Sequence, residues 1–329
     1  MGDALRGAAT KPTTTVEASL PLPPVELADR AGTPSGADES LEPFLTVGRH
    51  MRGEIERLLP EDWHWTGKRV LDFGCGAGRV LRHFSAQAGN AQFVGCDIHA
   101  PSIAWIEEHL SPPFEAFVNR DAPPLTQPDS SFDLVYASSV FTHITDEWSG
   151  WLLDLHRVLK DDGLLMVSVL GRGVSEQIAG EQWDADRIGM NVLQQSKAWS
   201  LGGPNVLISE WRLRAHWGRL FTVMRYEPVS TPGQDLVVLR RRPVTSTREE
   251  LERPEPGEPR ELEALSHNVR QCIARPVCFA KLSNGRDQPS TTNGRLTKGR
   301  GANPYPRQLR PSSSSSVRRR SSSAHWRPS

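Results

Sequence analysis

One short stretch does most to limit what this chain can fold into: Arg69-Val70-Leu71-Asp72-Phe73-Gly74-Cys75-Gly76-Ala77-Gly78-Arg79. A short apolar run enters a turn with glycine at every second position, Gly74, Gly76 and Gly78. The run reads as a strand, and the residues after the glycines, Gly78 to Ala88, read as a helix with Val80, Leu81 and Phe84 inward. Glycines in such a turn let the backbone approach a ligand closely, and the helix start points amides at it. Taken alone, a glycine-rich loop is a weak signal, because glycine can simply serve the turn's own geometry.

The surroundings continue the alternation. Strands are expected at Gln92–Cys96, Phe114–Val118, Phe132–Ser138 and Leu164–Leu170, with helices at Pro101–Leu110 and Glu147–Leu159 between them. A helix from about Ser40 to Leu59 precedes the glycine turn; Leu41, Phe44, Leu45, Met51, Ile55, Leu58 and Leu59 recur at three and four, Ser40 caps it and Pro60 stops it. Arg212–Leu220 is expected to be helical, and Phe221–Tyr226 and Asp235–Arg240 are read as two strands forming a closing antiparallel pair. Strands and helices in this order imply crossover units, hence an α/β fold with a mostly parallel sheet and helices on both faces.

The flanks differ in kind. Residues 1–38 are rich in Ala, Thr, Pro, Gly and Ser and are read as a disordered N-terminal segment, since they offer too little apolar surface to offset chain entropy. The folded domain is placed at 39–242. A charged, Pro-rich linker with a short helix is read at 243–275, and a disordered Ser/Arg-rich tail at 276–329. Lys plus Arg and Asp plus Glu both number 39, yet residues 285–329 hold ten basic residues and the single acid Asp287. Subtraction leaves 29 basic and 38 acidic residues in 1–284, an acidic body with a basic tail. The tail lacks interleaved aromatics beyond Tyr305 and Trp326 and carries no folded reader motif, so nucleic acid is not the expected partner. No apolar run approaches membrane-span length, and the four cysteines show no metal-ligand spacing. A reduced, cytoplasmic setting without a bound metal is the expectation.

Two acids frame the glycine turn: Asp72 precedes it, and Asp97 closes the next strand about 20 residues further on, where a carboxylate can accept ribose hydroxyls. A dinucleotide fingerprint of the G-x-G-x-x-G form needs glycine at the position of Arg79. From Gly48 to Arg241 the chain resembles the class I S-adenosylmethionine-dependent methyltransferases of the broad small-molecule and glycan type. Val70–Gly78 resembles their first motif, and Gly95-Cys96-Asp97-Ile98 their second strand. Asn119-Arg120-Asp121-Ala122, followed by Pro128–Asp133, is similar to their adenine loop. Phe132–Val135 with Ser138–His143 resembles their fourth strand and its loop, and His156–Leu165 the helix and turn into the fifth strand.

The resemblance implies a Rossmann-like, doubly wound sheet of seven strands in the order 3-2-1-4-5-7-6, with one antiparallel strand. It implies S-adenosyl-L-methionine as cofactor, held by Asp72, Gly74, Cys75, Gly76, Gly78, Asp97, Ile98, Asp121, Ala122 and Ser138. Within that set Asp97 takes the ribose, Asp121 the adenine amino group and the Ala122 amide the ring. His143, just after the fourth strand, is the candidate general base. His99 is read as a packing or cofactor contact and His156 as structural. The long segment Gly171–Asn205, with Trp183, Asp184, Asp186, Arg187, Asn191, Gln194, Gln195 and Trp199, is read as cover for a small-molecule or glycan acceptor. The expected activity is methyl transfer, with O-methylation preferred. A cofactor-binding module without catalysis and an NAD-dependent oxidoreductase on a related fold are the alternatives.

Overall fold

Short apolar strands buried on both faces build the centre of the molecule. The computed structural model describes residues 20–30, 40–171, 190–193, 203–231 and 234–256. Its strands are β1 (Arg69–Phe73), β2 (Gln92–Asp97), β3 (Glu115–Val118), β4 (Phe132–Ala137), β5 (Leu159–Val169), β6 (Met190–Leu193), β7 (Asn205–Ile208), β8 (Phe221–Thr231) and β9 (Gln234–Arg241). Seven of these form one sheet in the order β3-β2-β1-β4-β5-β9-β8, while β6 and β7 pair separately. Numbered along the chain, the strands of the large sheet run 3-2-1-4-5-7-6. β1 to β5 pair in parallel, and β9 runs antiparallel to both β5 and β8. This is the expected mixed sheet with one reversed strand.

The period-two alternation of side chains divides the core into two layers. Leu71, Phe73, Val135, Ala137, Leu165, Val167 and Val169 face α4 (Trp148–Val158) and α5 (Glu210–His216). Val70, Leu134, Tyr136, Leu164 and Met166 face α2 (Glu42–Leu58) and α3 (Ala100–His109). In α2 the buried positions Phe44, Gly48, Met51, Ile55 and Leu58 follow the three-and-four spacing of an amphipathic helix. Ser40 Oγ accepts the Glu42 amide at 3.3 Å, and the helix stops at Leu59, just before Pro60.

One element differs in type. The expected helix at Gly78–Ala88 is a turn followed by a 3₁₀ segment, Leu81–Phe84. All four of its side chains are buried, including Arg82 and His83, so it lacks the solvent face an amphipathic helix keeps. Arg82, 2% exposed, donates to the carbonyls of Leu20 (2.9 Å) and Pro21 (2.7 Å). It thereby fastens residues 20–30, with the short helix α1 (Val25–Asp29), within the N-terminal stretch read as disordered.

The described chain also continues beyond β9. Residues 243–256 lead into α6 (Arg248–Glu252), started by a reciprocal capping box between Thr247 and Glu250. Leu251 is fully buried in the α4-side core, and Arg219 donates to the carbonyls of Glu250, Leu251 and Arg253. Residues 1–19 and 257–329, and so most of the linker read at 243–275 and the basic tail, lie outside the described residues.

Candidate cofactor and acceptor site

In a parallel sheet, the chain leaving each strand's carboxyl end emerges on one edge. Neighbouring β3, β2, β1 and β4 therefore bring Asn119–Ala122, Asp97–Ile98, the glycine turn and Ser138 to that edge in this order. The glycine turn is fixed by backbone bonds: the amides of Gly74 and Cys75 both donate to the Cys96 carbonyl, at 2.8 and 2.9 Å. Gly74, Gly76 and Gly78 have φ of +79°, +54° and +78°, a region that favours glycine. A Cβ on Gly74 would come within 2.3 Å of Val140 Cγ2, so this glycine also admits the loop after β4.

Asp97 knits the edge together. Its Oδ2 accepts the Gly76 amide at 2.9 Å and its Oδ1 the His99 amide at 2.8 Å. A carboxylate has about four lone-pair directions, so capacity for further donors remains. Beside it Ile98 is 42% exposed, an uncovered apolar surface on the same edge. His99 begins α3, with Nδ1 2.8 Å from Ser102 Oγ; burial and the positive Arg30 hold its pKa below the ordinary value, against the pull of Asp97.

Asp72 occupies a different place. It is 2% exposed, with its carboxyl inside the α2-side layer beneath the turn. Burial raises its pKa from 3.8 to about 7, with Asp97 pushing the same way and Tyr136, Arg79 and the Leu81 amide opposing. The Tyr136 hydroxyl is near enough to act on the carboxyl, although neither Asp72 Oδ2 nor the tyrosine oxygen meets hydrogen-bond geometry. Arg79 is itself buried, its pKa lowered to about 10 by desolvation against the attraction of Asp72. Cys75 and Cys96 are buried free thiols with pKa values pushed up by burial, and Cys75 Sγ fills the space that a Cβ on Gly95 would need.

After β3, the Asn119 amide donates to the Asp97 carbonyl at 3.1 Å, Asp121 is exposed and Ala122 half-buried. The loop that follows is tied to α4. Asp154 Oδ2 accepts the Leu125 amide at 2.7 Å, and Arg157 donates to Asp154, Asp129 and the carbonyls of Gln127 and Leu125. Asp133 accepts from the Arg69 amide, Lys160 and Lys68; burial pushes its pKa up, yet these donors hold it below the ordinary range.

At the far side of β1, Ser138 follows β4. It is 8% exposed, and its Oγ has no hydrogen-bond partner among the described residues. Next to it Ser139 has φ +62°, unusual for serine. His143 is half-buried, with Nδ1 2.6 Å from the Pro204 carbonyl. A carbonyl can only accept, so Nδ1 carries the proton and Nε2 is the basic nitrogen of the neutral ring. His156 Nε2 contacts the Arg242 carbonyl at 2.9 Å, and burial lowers its pKa.

Of the segment after β5, the described part is the β6–β7 hairpin and its flank. The Ile208 amide bonds the Leu170 carbonyl and the Val206 amide the Thr142 carbonyl, placing the hairpin against the ends of β5 and the loop after β4. Trp183, Asp184, Asp186, Arg187, Gln194, Gln195 and Trp199 lie outside the described residues. Two side chains that sequence reasoning passed over, Gln234 and Ser168, also reach this edge and bond Ser139.

Part of the chain is similar to known methyltransferases. Residues 46–201 match the Methyltransf_23 family, a methyltransferase domain. The chain is 31% identical over 132 residues to phthiotriol/phenolphthiotriol dimycocerosates methyltransferase 1 of Mycobacterium ulcerans, covering 40% of this chain and 47% of that protein. It is 32% identical over 171 residues to malonyl-[acyl-carrier protein] O-methyltransferase of Magnetococcus marinus, covering 48% and 60% respectively. The crystal structure of an S-adenosylmethionine-dependent methyltransferase from Mesorhizobium loti aligns with a TM-score of 0.44 at 19% identity, over 57% of this chain and 96% of that one. The chain thus spans about half the length of the curated relatives it matches. The strand order, the glycine turn and the family match over residues 46–201 together make the chain similar to the class I S-adenosylmethionine-dependent methyltransferases. No described helix is long and apolar enough to cross a membrane.

Proposed function

We propose that the chain transfers a methyl group from S-adenosylmethionine to a small-molecule or glycan hydroxyl. The observation that carries this reading is Asp97: a carboxylate at the end of β2, orienting two backbone amides and retaining capacity for two ribose hydroxyls. The remaining groups fit the cofactor in strand order. Asp121 and the Ala122 amide suit the edge of adenine, and exposed Ile98 its face. Gly74, Cys75, Gly76 and Gly78 give a side-chain-poor backbone where the ligand crosses β1. The unpartnered Ser138 Oγ suits a polar group at the far end. Asp72 supports from beneath, through Arg79 and the turn.

The cofactor supplies a methyl already activated by its positively charged sulfur. The protein's part is then alignment, which can account for much of the rate. A hydroxyl acceptor also gives up a proton, and in this reading His143 takes it; the Nδ1 contact to the Pro204 carbonyl, which fixes the tautomer, supports that role. The β6–β7 hairpin, seated at the ends of β5 and the β4 loop, supports the segment after β5 as the acceptor cover. The preference for a glycan rests on the sequence of that segment alone.

Titration calorimetry tests the reading. S-adenosylmethionine and S-adenosylhomocysteine should bind and NAD should not. Asp97→Ala should weaken binding by about 1–3 kcal/mol, through loss of charge-assisted hydrogen bonds. Unchanged affinity in that variant, or NAD binding by the wild type, would overturn the assignment.

A further inference from the structure

We propose that Gln234 is a positioning residue for the cofactor's amino-acid end, acting through Ser139 on Ser138. This rests on the cofactor reading above. With the base at the loop after β3 and the ribose at Asp97 on β2, the remaining arm of the ligand must cross β1 toward β4. That is a span of two strand spacings, about 10 Å. Ser138 stands there, buried, with a hydroxyl that has no partner among the described residues.

The direction of that hydroxyl depends on the next residue. Ser139 sits in the left-handed region at φ +62°, where a non-glycine residue persists only when its surroundings hold it. Two contacts do so. Its amide donates to Ser168 Oγ on β5 at 2.7 Å, and Ser168 is fully buried. Its hydroxyl meets the Gln234 side-chain amide, with Nε2 at 2.9 Å and Oε1 at 3.2 Å. Gln234 opens β9, which lies beyond β5 from β4, so one side chain spans β5 to grip the turn leaving β4. The turn is also gripped from the other side, because Val140 Cγ2 fills the space a side chain on Gly74 would take. Gln234 thus fixes the turn without itself touching the ligand.

The test is a pair of ligands titrated into the full chain: S-adenosylhomocysteine, and adenosine, which lacks the amino-acid arm. Gln234→Leu should weaken the first about fivefold or more, the scale of one hydrogen bond, and leave adenosine within about twofold. Gln234→Glu, whose carboxylate can still accept from Ser139 Oγ, should recover most of the loss. Ser139→Gly, which removes the hydroxyl and the strain together, should repeat the Gln234→Leu pattern and serves if that variant does not fold. Asp97→Ala should weaken both ligands, because both carry the ribose. Equal S-adenosylhomocysteine affinity in wild type and Gln234→Leu overturns the proposal, as does a loss shared equally by adenosine. A wild-type chain that binds neither ligand overturns the cofactor reading and this inference with it.

Discussion

At the scale of single residues, the most consequential placement is the burial of Asp72. A carboxyl whose folded pKa is about 7, against an ordinary 3.8, binds its proton more tightly in the folded chain than in the unfolded one. Its contribution favours folding fully below the unfolded value and is lost as pH rises through the folded one. Over the interval of about three units the loss is of order 4 kcal/mol. Wild-type stability, measured by urea unfolding from pH 4 to 8, should therefore fall relative to that of Asp72→Asn, which has no proton to lose. A constant difference between the two across this range would show that the carboxyl does not titrate there. Asp97 is legible in the sequence as a candidate site residue because it ends an apolar strand about 20 residues after the glycine turn. Gln234 is not, because its partner Ser139 lies 95 positions away and a glutamine after the pair Pro232-Gly233 has no periodic signature.

At the scale of elements, α2 carries two glycines with opposite meanings. A Cβ on Gly48 would come within 2.0 Å of the Arg79 carbonyl oxygen, so the helix sits directly on the backbone that follows the glycine turn. A Cβ on Gly53, in the same helix, would meet nothing within 4 Å. Gly53→Ala should stabilise the chain by about 0.5–1 kcal/mol, the helix-propensity gain. Gly48→Ala should instead cost about 1–3 kcal/mol through overpacking, despite the same propensity gain. Thermal unfolding of the two variants decides this, and equal shifts would mean that α2 is not seated on Arg79. Strands are legible here because apolar runs such as Leu134–Ala137 and Leu164–Val167 are buried on both faces, leaving a continuous signal. The 3₁₀ segment reads as a helix in the sequence because Arg82 and His83 look like solvent-facing residues until their buried surroundings are known.

At the scale of the whole molecule, the parts of the chain differ in how they are tied in. The segment after β9, read from its prolines and charges as a linker, is fastened to the sheet's α4 layer through Leu251, Arg219 and the His216 Nδ1 contact to the Leu251 carbonyl at 2.6 Å. A single buried leucine among glutamates and arginines gives too little apolar periodicity to reveal such docking from sequence. The strand order is legible only through resemblance, since the alternation of strands and helices fixes a parallel sheet but not the sequence of neighbours within it. The crest of β1 and β2, finally, holds two thiols, Cys75 at 4% and Cys96 at 0% exposure, both with pKa values raised by burial. Buried thiols of this kind react only when the structure around them opens. With Cys272 and Cys278 replaced by serine, iodoacetamide should modify the remaining pair far more slowly than in urea. Saturating S-adenosylhomocysteine should slow the modification again, whereas labelling at the denatured rate would show the crest to be open. The two sulfurs then act as a built-in clock for the breathing of the sheet, its rate read from beneath the glycine turn.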